Sequence, residues 1–323
     1  MFHTSHIELN ETALRHNIRY LKKVISPNAK FSSVIKGNAY GHGIRHFVPL
    51  AERCGVRHFS VFSASEALET LESLTRASDI MIMGAIENDE LEWAIVNQIS
   101  FFVFELDRLE CALKMAERLG IRTRIHVEVE TGLNRTGLQG DQIDQAVDMI
   151  LKSADHVVVE GVCTHYAGAE SIQNYYRIQN QIKAFHELSA RVERAGVDVR
   201  MKHTACSAAA LVYPETIMDM VRFGIAHYGF WPSKETQMHY FLNRDPENGR
   251  NMDPLKRVIS WKSRVMSVKD VRPGEFVGYG TSYQTTRARK IASVPVGYFN
   301  GFARNLSNLG HVLIRGRRAP VVG

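Results

Sequence analysis

A lysine at the end of a short apolar run is the first residue in this chain equipped for chemistry. In residues 31–43, FSSVIKGNAYGHG, the β-branched Val34 and Ile35 lead into Lys36, and a loop with Gly37, Asn38, Gly41 and Gly43 follows. The run reads as a buried strand with Lys36 at its exit. Burial disfavours an ammonium and lowers its pKa, which suits such a lysine to Schiff-base formation. The position also fits a lysine that reaches back to solvent past the glycines. Further on, EVETGLNRTG offers Arg135, GVCTHYAG offers His165, and MVRFGIAHYG offers Arg222 beside Gly224 and Ile225.

The elements that must position these groups alternate along the chain. Apolar, β-rich runs occur at 31–36, 58–62, 79–84, 100–105, 124–130, 157–165, 199–206 and 220–228. Amphipathic stretches such as SASEALETLESL and LDRLECALKMAERLG lie between them. Eight such strands over roughly 230 residues match a (β/α)8 TIM-type barrel. An open doubly wound sheet is the alternative, although GNAYGHG is not the GxGxxG loop such sheets usually carry after the first strand. A barrel places active groups at the C-terminal ends of its strands. Lys36 and Tyr40 fall there, as do Arg135, His165, Ser207, Arg222, Gly224 and Ile225. Singly, each has an ordinary explanation: Ser207 as a helix cap, His165 as a core histidine, Arg222 as an ion-pair member. Gathered at one barrel face they read as a site, with Ser207, Gly224 and Ile225 where barrels bind phosphate.

With 45% hydrophobic and 23% charged residues, the 323-residue chain has the profile of a soluble globular protein with room for a barrel and a second domain. The first residues, MFHTSHIELNETALRHNI, show no apolar segment behind a basic cluster, and no run of 18 apolar residues occurs. The expectation is a cytoplasmic protein without membrane insertion. The net charge of +6 is spread without a basic block, which speaks against nucleic-acid binding. Four cysteines lack CxxC spacing and no HxH or HExxH pair occurs, so no metal site is expected. Residues 1–235 read as the barrel, with 1–10 a strand pairing with the second domain. Residues 236–252 read as an exposed linker, and 253–323, with short alternating segments between glycine and proline turns, as a small β domain.

The stretch VIKGNAYGHG resembles the pyridoxal-phosphate signature of the alanine racemase family, and the similarity extends over almost the whole chain. It implies a fold-type III, pyridoxal 5'-phosphate-dependent amino-acid racemase that supplies D-alanine for cell-wall peptidoglycan. By resemblance, Lys36 is the Schiff-base lysine, and Tyr40, Ser207, Gly224 and Ile225 hold the phosphate. Arg222 donates to the pyridine nitrogen with His165 against it, and Arg135 contacts the phenolic oxygen and the substrate. An arginine cannot realistically deprotonate, so a pyridine nitrogen facing it remains an unprotonated acceptor, which weakens the electron sink and limits side reactions. Racemisation needs a base on each face of the α-carbon. The family's second base matches Tyr279 in GEFVGYGTSY, which in relatives reaches in from the partner of a homodimer. A tyrosine near pKa 10 needs nearby cations to serve as a base, and a line through His165 to Arg222 would provide that field. Tyr298 matches a residue that narrows the entrance, and Glu170 and Arg304 match residues lining the corridor.

Several positions depart from the family. Gly37 stands for a more usual alanine, and Glu128 for a lysine that is often carbamylated to hold Arg135; the carboxylate supplies similar charge without modification. Cys206 replaces a usual asparagine, and Phe299-Asn300 a usual Ala-Asp, which leaves serine or a broader amino-acid range open as substrate. The sequence stops at APVVG, before a further substrate loop of relatives, so the β domain is expected to be incomplete. A decarboxylase on the same plan would carry a cysteine in the β domain, and residues 253–323 contain none. A noncatalytic pyridoxal-phosphate carrier would be a barrel alone, without need of Tyr279.

Overall fold

Where the apolar runs are longest and most β-branched, the chain pairs with itself in parallel. After β1 (Ser5–Leu9) come β2 (Lys30–Val34), β3 (His58–Val61), β4 (Asp79–Ile82), β5 (Ser100–Val103), β6 (Thr123–Glu128), β7 (Val157–Cys163), β8 (Lys202–His203) and β9 (Met220–Phe223) in the computed structural model. The structure describes residues 3–243 and 253–323. Eight of these strands form one sheet in the order β8-β7-β6-β5-β4-β3-β2-β9. Its outer strands meet: Asp219 N–H donates to Lys202 O (3.1 Å) and Arg222 N–H to Ala205 O (3.0 Å), so the sheet closes into a barrel. Period-two alternation divides the strand residues between two clusters. Ile80, Ile82, Phe101 and Val103 pack in the large core toward the helices. Met81 and Phe102, between them in sequence, join Met220 and Cys163 in a small separate cluster that fills the barrel interior.

Helices return the chain between strands. α1 (Glu11–Val24) is capped by Asn10, whose Oδ1 accepts from Ala13 N–H at 2.9 Å, and buries Leu14, Ile18 and Leu21. α2 (Lys36–Tyr40) is a left-handed turn. α3 (Ile44–Arg53), α4 (Ala64–Ser73), α5 (Leu91–Val96), α6 (Leu106–Leu119), α7 (Gln142–Lys152), α8 (Tyr175–Arg194) and α9 (Ser207–Val212) follow. The strands are shorter than their apolar runs suggest. β2 ends at Val34, two residues before Lys36, and β9 ends at Phe223, because Gly224 (φ −99°, ψ −107°) leaves the extended region and starts a tight turn over Ile225–Tyr228.

The linker expected from 236 is corrected in its first part. Residues 234–242 form α10 (Lys234–Leu242), whose N-terminus is capped by Ser233 Oγ accepting from Thr236 N–H at 3.0 Å, with Thr236 buried. Its apolar residues follow no helical period, so only the cap announced it. Residues 244–252 of that stretch lie outside the described residues.

Two compact units result, Leu9–Val258 and Met1–Glu8 with Ile259–Gly323. In the second, β1 pairs with β10 (Ile259–Ser263), tied by Lys262 to Glu8 (2.5 Å) and by Ser263 Oγ donating to Thr4 O (2.7 Å). Three antiparallel pairs complete it: β11 (Ser267–Val271) with β14 (Arg289–Ser293), β12 (Phe276–Val277) with β13 (Tyr283–Gln284), and β15 (His311–Ile314) with β16 (Arg317–Pro320). The fold is a (β/α)8 barrel followed by a smaller, mainly β unit. No helix among the described residues is long and apolar enough to cross a membrane.

Candidate active site

A cavity of about 780 Å³ opens at the C-terminal ends of the barrel strands. Nine of the residues singled out in the sequence line it: Lys36 and Tyr40 after β2, Arg135 after β6, His165 and Glu170 after β7, Ser207 after β8, and Arg222, Gly224 and Ile225 on or after β9. Tyr279, Tyr298 and Arg304 belong to the other compact unit and are not among the lining residues. Tyr279 lies between β12 and β13 with its side chain fully exposed.

Lys36 begins the left-handed turn. Gly37, Asn38, Ala39 and Tyr40 have φ of 62°, 52°, 54° and 53°. Glycine adopts this backbone readily and asparagine tolerates it, whereas left-handed geometry costs other residues roughly 1–2 kcal/mol each. Partial desolvation lowers the Lys36 pKa, and the cations Arg135 and Arg222 lower it further against an opposing contribution from Glu66. A larger fraction of its amine is therefore neutral than in water.

Arg222 is buried at the end of β9 and anchored on four acceptors. Its Nη1 donates to His203 O (2.9 Å) and His203 Nδ1, and its Nη2 donates to Thr164 O (2.7 Å) and Thr204 O (3.2 Å). The Nε–H is left as the one donor that no described residue engages. Because a guanidinium only donates, the proton positions of the chain beyond it follow. His203 Nδ1 accepts, so its proton is on Nε2 and goes to His126 Nδ1 (2.9 Å). The proton of His126 is then on Nε2 and goes to Ser100 Oγ (3.3 Å), which donates to Ile80 O (3.3 Å). Burial, with Arg222 among the neighbouring cations, holds both histidines well below their usual pKa and keeps them neutral. Ending on a carbonyl, the chain has no proton acceptor at its far end and serves to orient Arg222. His126 and His203 were not singled out in the sequence. Each is a lone histidine in a strand, without a spacing signal.

His165 is also held neutral, at about 3, by burial and by Arg222, Arg135 and Lys36. Ser207 Oγ accepts from Gly224 N–H (3.0 Å) and Ala226 N–H (3.4 Å). A Cβ on Gly224 would come within 2.6 Å of the Tyr40 hydroxyl, so only glycine lets this hydroxyl approach. Burial raises the Tyr40 pKa and keeps it a donor. The two hydroxyls converging on the bare Gly224 backbone form a cradle that fits a phosphate, and the unengaged Arg222 donor fits a ring nitrogen; this donor set suits pyridoxal phosphate on Lys36. No hydrogen bond joins Glu128 to Arg135 among the described residues; it bonds Thr136, and its Oε2 is buried without a partner. Burial raises the Glu128 pKa, partly offset by Thr136, Arg222 and Arg135.

Comparison with known proteins bears on the family and the fold. The family model described as alanine racemase, N-terminal domain, matches residues 9–232, and that for the C-terminal domain matches residues 258–323. The alanine racemase of Desulfovibrio desulfuricans is 34% identical, over 98% of this chain and 81% of its own. The crystal structure of alanine racemase from D-cycloserine-producing Streptomyces lavendulae superposes with a TM-score of 0.89 at 30% identity, covering 100% of this chain and 81% of that one. That of Bartonella henselae, with covalently bound pyridoxal phosphate, shares the fold at a TM-score of 0.83 and 24% identity, covering 100% and 83%. With both family domains matched across a barrel whose strand ends gather these residues, the chain belongs to the alanine racemase family, isomerases of amino acids.

Proposed function

We propose that this protein interconverts L- and D-alanine in the cytoplasm with pyridoxal 5'-phosphate held on Lys36, by a two-base mechanism in which Lys36 and Tyr279 face opposite sides of the α-carbon. The observation that carries the reading is the pairing, in one cavity, of a lysine with a lowered pKa and an arginine anchored on four acceptors with one donor left over. When bound, pyridoxal phosphate supplies the electron withdrawal that makes the α-proton of an amino acid removable. Tyr40, Ser207, Gly224 and Ile225 hold its phosphate. The Arg222 Nε–H would donate to its ring nitrogen and, being unable to give up the proton, would leave that nitrogen an unprotonated acceptor and the withdrawal moderate. Arg135 and Glu170, both in the cavity lining, face the substrate side, and Tyr298 and Arg304 are assigned to the approach on the family resemblance alone.

Lys36 takes or returns the proton on its face. Its lowered pKa favours the neutral amine that this requires. Neutral His165 is available for a hydrogen bond toward the second base without adding charge. Tyr279, fully exposed in one chain, is suited to serve the site of a partner protomer in a homodimer. The D-alanine formed would feed cell-wall peptidoglycan.

The test combines attachment and sharing. Borohydride reduction of the yellow protein should fix the cofactor on Lys36; a label on another lysine overturns the attachment. Lys36→Ala and Tyr279→Ala should each be nearly inactive. When the two are refolded together, random pairing makes about half the dimers mixed, and roughly a quarter of wild-type sites return. No recovery despite demonstrated subunit exchange would mean that Tyr279 is not the second base or does not act across the interface.

A further inference from the structure

We infer that Glu66 is a positioning residue for the reaction, holding Lys36 in place by clamping the left-handed turn that carries it; this rests on the role proposed for Lys36. Four consecutive left-handed residues, two of them Ala39 and Tyr40, do not persist on local preference, so the surroundings must hold them. Beside backbone bonds such as Ala39 N–H to Ile35 O (2.7 Å), one carboxylate ties the turn to a second loop. Glu66 Oε1 accepts from Gly37 N–H (2.6 Å) and Asn38 N–H (3.2 Å), and Oε2 accepts from Phe62 N–H (2.9 Å). These donors belong to two separate loops, the turn after β2 and the exit of β3. From beneath, the rings of Tyr40 and His42 lie on Tyr228, with centroids 5.0 and 4.4 Å apart. Asn38 Oδ1 closes the far side by accepting from Ile44 N–H at 2.9 Å.

Two further features separate this arrangement from ordinary helix capping. Glu66 is the third residue of α4, behind the cap Ser63, where a glutamate commonly folds back to the cap's own N–H. Here the carboxylate reaches Phe62 instead and crosses to Gly37. Glu66 is also the carboxylate that acts on the Lys36 ammonium against Arg135 and Arg222. His165 beside them is neutral, and Cys206 adds a small contribution of the same sign as Glu66. The clamp thus bears on where the Lys36 amine is and on how readily it keeps its proton.

Glu66→Gln and Glu66→Ala separate these effects, because glutamine retains an acceptor for Gly37 and Asn38 but not the charge. In the cofactor-free protein, amide exchange at Gly37 and Asn38 should quicken about tenfold or more in Glu66→Ala and less in Glu66→Gln. Competitive amine labelling read by peptide mass should find Lys36 about threefold more reactive near pH 8 in Glu66→Gln, as its midpoint moves down. In the loaded enzyme kcat should fall in both variants, less in Glu66→Gln, with KM little changed. Unchanged exchange and an unchanged Lys36 labelling profile would overturn the inference, even with activity reduced, since general destabilisation would reduce activity alone. Glutamine keeps a polar third residue in α4, so Glu66→Gln tests the charge in a folded chain. If borohydride labels a lysine other than Lys36, the cofactor assignment fails while the exchange and labelling data still report on the clamp.

Discussion

The two ends of the barrel handle charge in opposite ways. Toward the N-terminal ends of the strands every cation considered has a carboxylate: Lys30 and Arg124 meet Asp79 at 3.5 and 3.2 Å, and Arg124 and Arg200 meet Glu160 at 2.7 and 3.1 Å. At the C-terminal ends, none of Lys36, Arg135 and Arg222 is within ion-pair distance of a carboxylate among the described residues, and the Glu128 oxygen that could serve has no partner. A network in which partly buried ions are matched supports the fold. A cluster of unmatched cations repels itself, lowers the lysine pKa and suits anionic groups such as the phosphate and carboxylate of the proposed function. The contrast teaches that charge complementarity here is completed by protein at one end and left for a ligand at the other.

The sharpest way to break this comparison is to remove one charge from each end and read both activity and stability. Lys36→Ala should lower D/L-alanine conversion by on the order of 10³-fold or more, while, with both proteins stripped of cofactor, its thermal midpoint stays level or rises, since one of three mutually repelling cations is gone. A clear fall in the midpoint would show that the upper end is matched after all. Asp79→Ala should do the reverse. Burial pushes this carboxyl up, but Arg124, helped by Lys30, more than reverses that and holds it below its usual value. Because the side chain is partly exposed, its loss should cost about 1–2 kcal/mol in urea unfolding, with activity per folded molecule unchanged.

A finer test uses histidines kept neutral at both levels. His58 near the lower network and His227 beneath the cavity both have pKa values pushed down to about 3, chiefly by burial. His227 Nδ1–H donates to Gly224 O (2.6 Å), so its Nε2 accepts from Ser33 Oγ (3.0 Å). The unfolded chain, with histidines near 6.5, takes up these protons first. Stability is therefore complete above about pH 6.5 and falls with acid by about 1.4 kcal/mol per pH unit for each such histidine, down to their folded values. Urea midpoints from pH 7 to 5 should show that slope, and His58→Gln should reduce it by about one histidine's share. An unchanged slope would place a protonated His58 in the fold.

Much of this was legible in the sequence because it depends on neighbours along the chain. The alternation of apolar runs and amphipathic stretches announced the barrel, since strand and helix periods are local. Lys36, Arg135, His165, Ser207 and Arg222 were expected at one face and do line one cavity, because barrel topology puts every strand exit there, whatever the loops do. Other features depended on partners distant in sequence. Glu66 holds Gly37 and Asn38 across 29 and 28 positions, and His126 meets His203 across 77, separations at which no pattern in the sequence marks a contact. Glu128 is a related case: residue type suggested a partner for Arg135, whereas its hydrogen bond goes to Thr136 and Arg135 acts on it only through charge, a choice that residue type does not carry. Composition and periodicity determined which residues arrive at the barrel mouth, because burial of apolar faces selects the fold. Only the tertiary structure decided which hydrogen bonds and charges those residues share, because such contacts depend on distances of a few tenths of an ångström between segments that burial merely brings near.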